Sequence, residues 1–373
     1  MRIALIVPGF SAHEEDWCIP ALLTLVRALQ TRHEITLFTL RYPHRAATYR
    51  VAGATVHALG GATRFGVARL PLLMRGLARV RRVHQQRPFD LTHAFWADEP
   101  GFLAVRAGHL LGVPAVVSLG GGELERRLDL RYGHGLSRVN RWLVGHTLQR
   151  AARVTVGSEW LRARVAPHVA NERLAVQPLG VDRALFRAEG AAMPLAQPAL
   201  LHVASLVPVK GQARLIAALA ALHRQGHAAH LHLVGQGPLE GPLRVQAAEC
   251  GLTPFVHWHG NVAHHELPAY YRAATVHLLS SHFESQGMVV LEAGACGLPT
   301  VGTAVGLLPE LGDASRTVPP TDDGNALAAA VAPLLADDLS RAAMGRQMQR
   351  LIDQRYSLAR SIVGWEAIYA DAV

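Results

Sequence analysis

The sequence predicts an α/β protein built from two doubly wound parallel sheets, and three observations carry that expectation. Short apolar runs of strand length alternate with helix-spaced stretches along the whole chain. At 373 residues the chain is long for a single core. Between its halves, Ala188-Glu189-Gly190-Ala191-Ala192-Met193-Pro194, with Pro198 close behind, reads as a linker of small residues and proline. Half of the residues are hydrophobic and 17% are charged, a globular composition and not a disordered one.

In the first half the strands are expected at Ile3–Val7, Glu34–Leu40, Thr55–Ala58, Leu91–Ala94, Ala115–Leu119, Arg153–Val156 and Leu174–Gln177. A helix-spaced apolar face runs from about Trp17 to Gln30. The pattern breaks around Pro178-Leu179-Gly180-Val181-Asp182 and restarts at Ala199. Strands are then expected at Leu200–Ala204, His230–Val234, Val256–His259, Val276–Leu279, Thr300–Gly302 and Arg316–Val318, with a helix over Leu215–Leu222. No repeat of solenoid period is visible. Two such sheets joined by a linker imply a cleft, and ligands of open α/β sheets bind at the carboxyl ends of strands. Pro8-Gly9, Gly120-Gly121-Gly122, Ser205–Gly211, Gly235-Gln236-Gly237, Ser280–Gly287 and Thr303–Gly306 all fall there.

Charge and cysteine usage narrow the class further. The net charge of +9 is uneven: residues 1–180 hold 24 Arg and no Lys against 12 acidic residues, whereas the remainder is slightly acidic. Lys210 is the one lysine, against 36 arginines. Where arginine fills nearly every cationic position, a lone lysine marks a site that needs a compact point charge, and phosphate contact is one such need. Three widely spaced cysteines without a C-x-x-C fit buried thiols in a reducing compartment. Met1-Arg2 precedes only five apolar residues, too few for a signal peptide or a membrane span. The expected location is cytoplasmic. The basic amphipathic stretch from Arg64 to Arg82 has two readings: docking on an anionic membrane surface, or a solvated helix packing its leucines on the first sheet. No nucleic-acid-binding module is present. His257-x-His259 and His264-His265 raise a metal reading, but no carboxylate or cysteine completes a set, so no metal is expected.

The chemistry-bearing stretch is Ser281-His282-Phe283-Glu284-Ser285-Gln286-Gly287-Met288-Val289-Val290-Leu291-Glu292, continuing through Gly297-Leu298-Pro299 to Pro309-Glu310. A strand enters a polar loop, and a short helix follows, opened by Gly287 and stopped at Gly297-Leu298-Pro299. Free amides at a helix start suit a phosphate. Glu284 and Glu292 can accept hydrogen bonds from hydroxyls on either side of it, the layout of a nucleotide sugar. Lys210, on another strand-to-helix loop, can neutralise charge on a departing diphosphate.

From about Gly180 to Glu310 the sequence resembles the nucleotide-sugar-binding domain of glycosyltransferase family 4, retaining enzymes of GT-B fold. The matching pieces are Gly180-Val181-Asp182 with Phe186, Lys210-Gly211, Val234-Gly235-Gln236-Gly237-Pro238, the Glu284-x7-Glu292 pair, Glu292–Pro299, and Gly306-Leu307-Leu308-Pro309-Glu310. The first half resembles the family's acceptor domain more loosely, through Thr92-His93-Ala94-Phe95-Trp96 and Gly101. The resemblance implies two Rossmann-like domains facing a central cleft. An acceptor domain would cover residues 1–180 and a donor domain 181–355. A closing helix over 356–373, with Trp365 and Tyr369, would cross back to the first domain. It also implies a UDP- or GDP-linked sugar as co-substrate, no metal or other cofactor, and an acceptor that is a glycan, a lipid or a small hydroxylated molecule. By position, Lys210 would hold the diphosphate, Glu284 the sugar hydroxyls, and Glu292 the ribose. Gly9, Ser205, Gly235, Val262, Gly287, Met288 and Val289 would complete the donor site.

Departures from the family pattern fall in both halves, and they bear on the catalytic detail more than on nucleotide binding. Ser205 stands where an arginine is usual, Gln286 replaces an aromatic and Leu307 a glycine. The loop that usually carries an active-site histidine reads Gly120-Gly121-Gly122-Glu123, with Gly120 at the histidine's place. Glu123, His93 and His13 are the side chains left to act beside Gly120 and Gly121, with Lys210, Glu284 and Glu123 as the catalytic set. A binding subunit that has lost transfer is the rival reading, and a GT-B sugar epimerase is another. A pyridoxal-dependent phosphorylase would need Lys210 as its Schiff-base lysine, in a loop already suited to donor phosphate.

Overall fold

The computed structural model describes every residue of 1–373 except 17, 62–68 and 322. It divides into two compact units, one comprising Met1–Gly180 with Leu358–Val373 and the other Val181–Ser357.

The first unit is built on eight strands: β1 (Arg2–Gly9), β2 (Glu34–Tyr42), β3 (Ala46–Val51), β4 (Ala54–Leu59), β5 (Leu91–Phe95), β6 (Ala115–Leu119), β7 (Arg153–Val156) and β8 (Leu174–Val176). Their order is β3-β4-β2-β1-β5-β6-β7-β8. All pairings are parallel except β3 with β4. Every residue of β5 and β6 is buried. Helices cover both faces of a parallel sheet, so its strands read as continuous apolar runs. The sequence expectation missed β3. Its side chains alternate between exposed and half-buried, with Thr48 and Arg50 among them, as suits an edge strand. The turn joining it to β4 is Ala52-Gly53, with φ of 52° and 78°. Two positive φ values are what a two-residue hairpin needs, and Ala-Gly is a weak sequence sign of it.

The closing helix, Leu358–Ala372, completes this unit's core. Trp365 and Tyr369 are buried among Ile3, Leu5, Leu22, Val26 and Phe95. Gln177 donates from Nε2 to the Ser361 carbonyl at 3.1 Å. A Cβ on Gly364 would lie 2.1 Å from Gln177 Oε1, so the helix approaches the end of β8 as closely as a glycine permits. The helix expected from Arg64 is seen over Arg69–Gln86, and residues 64–68 lie outside the described residues. Leu72, Leu73, Val80 and Val83 pack inward, while Leu70 and Met74 are 65% and 63% exposed. The expected helix before Gln30 spans Pro20–Leu29, and Trp17 is likewise outside the described residues. Among the described residues, no helix is long and apolar enough to cross a membrane.

The second unit carries β9 (Ala199–Val203), β10 (His230–Val234), β11 (Val256–Gly260), β12 (Val276–Leu279), β13 (Thr300–Thr303) and β14 (Ser315–Val318). They are all parallel, in the order β11-β10-β9-β12-β13-β14. Successive connections leave β9 in opposite directions, so the sheet's switch point lies between β9 and β12. The helix after β9, Ala213–Arg224, buries Leu215, Ile216, Leu219 and Leu222 in the core. His257 and His259 of β11 face His230 and His232 of β10, with ring nitrogens 2.9 and 3.0 Å apart. The alternating histidines are thus a cross-strand ladder. Among the described residues, no three His, Cys, Asp or Glu side chains group as metal ligands.

Candidate active site

The switch point of the second unit brings together two of the residues singled out in the sequence. The loop after β9 ends in a short turn over Pro208–Lys210, and the loop after β12 carries Glu284. Backbone contact locks these loops together. The His282 amide donates to the Val209 carbonyl at 2.7 Å, and Ser280 Oγ donates to the Lys210 carbonyl at 2.7 Å. Gly211 has φ of +63°, and a Cβ there would lie 2.3 Å from the Ser280 carbonyl oxygen. The glycine after the lysine is therefore required by the approach of the second loop. Two more loops join the same way. A Cβ on Gly235, after β10, would sit 2.0 Å from the Ala204 carbonyl oxygen, and one on Gly306, after β13, would sit 2.5 Å from that of Gln286.

On this base Lys210 Nζ donates to Glu284 Oε1 at 2.5 Å, and Ser281 Oγ donates to the same oxygen at 2.6 Å. Thr303 Oγ1 in turn donates to the Ser281 carbonyl at 2.6 Å. The lysine side chain is 26% exposed and the glutamate 11%, so the pair is held at the surface of the site and only partly dried. A charge pair in that setting is destabilised strongly when one partner is removed. Gly287, with φ of +90°, opens the helix Met288–Ala295, whose first amides have no partner within the helix. Ser205 is exposed, and its carbonyl accepts Gln212 Nε2 at 2.9 Å. Val262 is half-buried just beyond β11.

Glu292 lies on that helix, and two side chains that the sequence did not connect with it occupy both its oxygens. His264 Nε2 is 3.0 Å from Oε1, and Tyr271 Oη donates to Oε2 at 2.9 Å. Burial pushes the Tyr271 phenol well up, with the adjacent carboxylate adding to it. Phe186 packs edge-on against both the His264 and Tyr271 rings. No spacing rule links positions 264, 271 and 292, because three separate elements bring them together. Under the loops lie two buried neutral imidazoles, His202 and His277. Burial pulls their pKa values down to about 4 and about 3 respectively.

In the first unit the structure corrects two assignments. His93 is wholly buried in β5, with Nδ1 2.9 Å from Tyr369 Oη and Nε2 2.8 Å from Ser118 Oγ. Burial lowers its pKa to about 3. It is a core residue and cannot meet an acceptor. Glu123 is 1% exposed, and its carboxylate turns back on its own loop. Oε1 accepts the Gly120 amide at 2.9 Å and Oε2 the Gly121 amide at 2.8 Å. Burial raises its pKa against the opposing pull of the Gly120 amide and of His134. It fixes the loop and does not offer a base to solvent. Gly9 ends β1 in this same unit, where a Cβ would meet Tyr42 Cβ at 2.9 Å. His13 is exposed on the following loop. Three groups assigned no role from the sequence stand out nearby. Asp16 Oδ2 accepts the Ala12 amide at 2.6 Å and Tyr42 Oη at 2.9 Å. Asp98 pairs with His134 at 3.1 Å and holds that imidazole's pKa up. Trp96 directly follows β5 with φ of +71°. For a bulky side chain that backbone costs on the order of 1–3 kcal/mol.

Family models match nearly the whole chain in two blocks: "Glycosyltransferase Family 4" over residues 21–185 and "Glycosyl transferases group 1" over residues 189–351. A D-inositol 3-phosphate glycosyltransferase from Acidothermus cellulolyticus is 30% identical over 313 residues, covering 76% of this chain and 68% of that protein. The chain belongs to glycosyltransferase family 4. Within the family it also resembles a GDP-mannose-dependent alpha-(1-6)-phosphatidylinositol monomannoside mannosyltransferase from Mycobacterium tuberculosis. The two are 34% identical over 213 residues, 52% of this chain and 54% of that protein. The chain thus spans about half the length of the first curated relatives it matches. Among solved structures, sucrose-phosphate synthase from Thermosynechococcus elongatus superposes with a TM-score of 0.81 at 22% identity, covering 99% of this chain and 98% of that one. The fold is GT-B, with two Rossmann-like units.

Proposed function

We propose that this family 4 member is a retaining, metal-independent glycosyltransferase that moves a hexosyl group from a nucleoside-diphosphate sugar to a hydroxyl acceptor. The observation that carries the reading is the Lys210–Glu284 pair at the switch point of the second sheet, beside the open amides of the Met288–Ala295 helix. In this reading Lys210 binds the diphosphate and stabilises the charge it gains as the bond from the anomeric carbon to the phosphate oxygen breaks. Glu284 accepts hydroxyls of the sugar. Glu292, oriented by His264 and Tyr271, accepts the ribose hydroxyls. The Gly287, Met288 and Val289 amides supplement Lys210, and the loops at Ser205, Gly235 and Val262 border the nucleotide. The acceptor hydroxyl attacks from the face the diphosphate leaves, and the departing phosphate takes its proton. GDP-mannose, the donor named for the Mycobacterium tuberculosis relative, fits this layout.

The acceptor belongs to the first unit, and a lipid-linked or polysaccharide intermediate of the cell envelope is the class we favour. Leu70 and Met74 are exposed on the basic helix Arg69–Gln86, whose Arg75, Arg79 and Arg82 line a groove against β3 and β4, and an exposed apolar pair on a basic helix suits an anionic membrane from the cytoplasmic side. Salt-sensitive co-sedimentation with anionic but not neutral vesicles is the expected result; its absence removes the membrane from the proposal.

The deciding experiment is a thermal-shift panel of UDP, GDP and ADP. A nucleotide at 100 times its dissociation constant should add about 2.7 kcal/mol of stability. No shift with any of the three would undo the donor site. A second reading, a nucleotide-sugar-binding subunit with weak transfer, is favoured by the inward-turned Glu123 and the bare Gly120. Detection of a glycosylated product by mass spectrometry decides between them.

A further inference from the structure

We propose that Trp96 is the acceptor platform of this protein and selects a ring-shaped polyol, a pyranose or a cyclitol, over an acyclic one. The inference rests on the glycosyltransferase reading above and names the kind of acceptor it takes. Three observations support it.

Trp96 is the first residue beyond β5, and β5 lies directly beside β1 where the order of the first sheet reverses. That crevice is where open α/β sheets receive ligands. The backbone there is forced. Trp96 holds a left-handed φ of +71°, pinned by its amide on the Ser118 carbonyl at 2.8 Å and by the Gly101 amide on its own carbonyl at 2.9 Å. Gly101 has no room for a side chain, since a Cβ would lie 2.7 Å from Thr147 Cγ2 and 3.0 Å from the Trp96 carbonyl oxygen. Strain of this kind is retained where a side chain must be aimed, and here it aims an indole.

The indole takes up the space over the glycine loop. A Cβ on Gly120 would lie 3.0 Å from Trp96 Cε2 and 3.2 Å from Nε1, and one on Gly121 would lie 3.4 Å from Nε1. Trp96 and Gly120 are therefore a matched pair: the missing side chain at 120 is what lets the ring lie there. The loop beneath is rigid, because Glu123 ties down both the Gly120 and Gly121 amides.

Trp96 is half-buried, packing in part against the core of the first unit, and its indole N–H has no hydrogen-bond partner among the described residues. An aromatic face with a free donor at its edge suits a molecule whose C–H face can stack while a hydroxyl accepts the N–H. A six-membered ring of hydroxyls offers both at once, and a short open-chain polyol offers no face.

The test uses the full chain labelled with 5-fluorotryptophan, with the Trp96 fluorine resonance assigned through Trp96→Phe. The probes are myo-inositol, methyl α-D-mannopyranoside and glycerol. The expected result is a saturable shift of the Trp96 resonance with at least one ring compound and none with glycerol. A resonance that stays still with both rings, or follows glycerol equally, overturns the proposal. Gly120→Ala places a methyl against the indole; it should shift the resonance without ligand and weaken ring binding by on the order of tenfold. Unchanged ring affinity in that variant also counts against the platform. The nucleotide thermal shift, a property of the second unit, separates the two readings. Its presence with a silent Trp96 sinks only the platform, whereas its absence sinks the donor site.

Discussion

The two switch points of this molecule spend their charges in opposite directions. In the second unit, Lys210 and Glu284 project from loops locked backbone to backbone, and the pair remains partly open to solvent. In the first, the buried carboxylate of Glu123 is consumed in holding its own loop, and an indole and bare glycines face the crevice. On the proposed reading the second unit serves a charged donor, which needs fixed charge, and the first a neutral polyol, which needs shape and a few hydrogen-bond donors. The contrast teaches that one fold can be used twice with different chemistry, by changing which way a carboxylate turns.

The largest effect that would sharpen this contrast is acid lability. His202, His232 and His277 in the second unit, and His57 and His93 in the first, are pulled down to about 3 or 4 by burial. An imidazole whose folded pKa lies below its unfolded value of about 6.5 binds a proton only when the chain unfolds. Stability is therefore complete above pH 6.5 and lost as pH falls toward 4, by up to about 1.4 kcal/mol per pH unit for each group. With three such groups against two, the second unit should lose hydrogen-exchange protection first between pH 7 and 5. Earlier loss in the first unit would break the comparison.

Next comes the charge pair. Lys210→Ala should lower turnover by on the order of 10²-fold or more, measured as glycosylated product. Wild-type turnover would remove Lys210 from the site. Smaller is the expected loss from His264→Ala, which deprives Glu292 of one of its two fixed partners. Nucleotide affinity should fall about tenfold with little change in turnover at saturation. A turnover defect at unchanged affinity would place His264 elsewhere in the mechanism. The smallest is a gain: Ser205→Arg, adding a cation to the lysine loop, should tighten nucleoside diphosphate binding by roughly threefold at low salt and less at high salt. No change would mean that Lys210 and the helix amides already saturate the phosphates.

Much of this was legible in the sequence, for identifiable reasons. Of the fourteen strands among the described residues, thirteen were placed within about two residues, because a strand buried on both faces is an uninterrupted apolar run. The missing one, Ala46–Val51, is a polar edge strand whose turn lacks the usual asparagine or aspartate. Lys210 and Glu284 were found through composition and loop position, and the switch point makes them neighbours. His93 misled because it was one of the side chains left to stand in for the histidine missing at Gly120, yet every residue of β5 is buried and the ring is spent on Tyr369 and Ser118. The roles of His264, Tyr271 and Trp96 could not be read from the sequence. The first two meet Glu292 only through tertiary packing, and the third is marked by a backbone angle that leaves no trace in residue spacing.

The glycine contacts around Lys210 carry one more consequence. At positions 211, 235 and 306 a single methyl group would strike a neighbouring carbonyl, so the four loops form one casting with no adjustable joints. On the proposed donor-site reading, a change of sugar could not come from reshaping this casting piece by piece. Variation must be written at its margins, in side chains such as His264 and in the residues around Val262. Efforts to retarget the donor should begin there and leave the glycines alone.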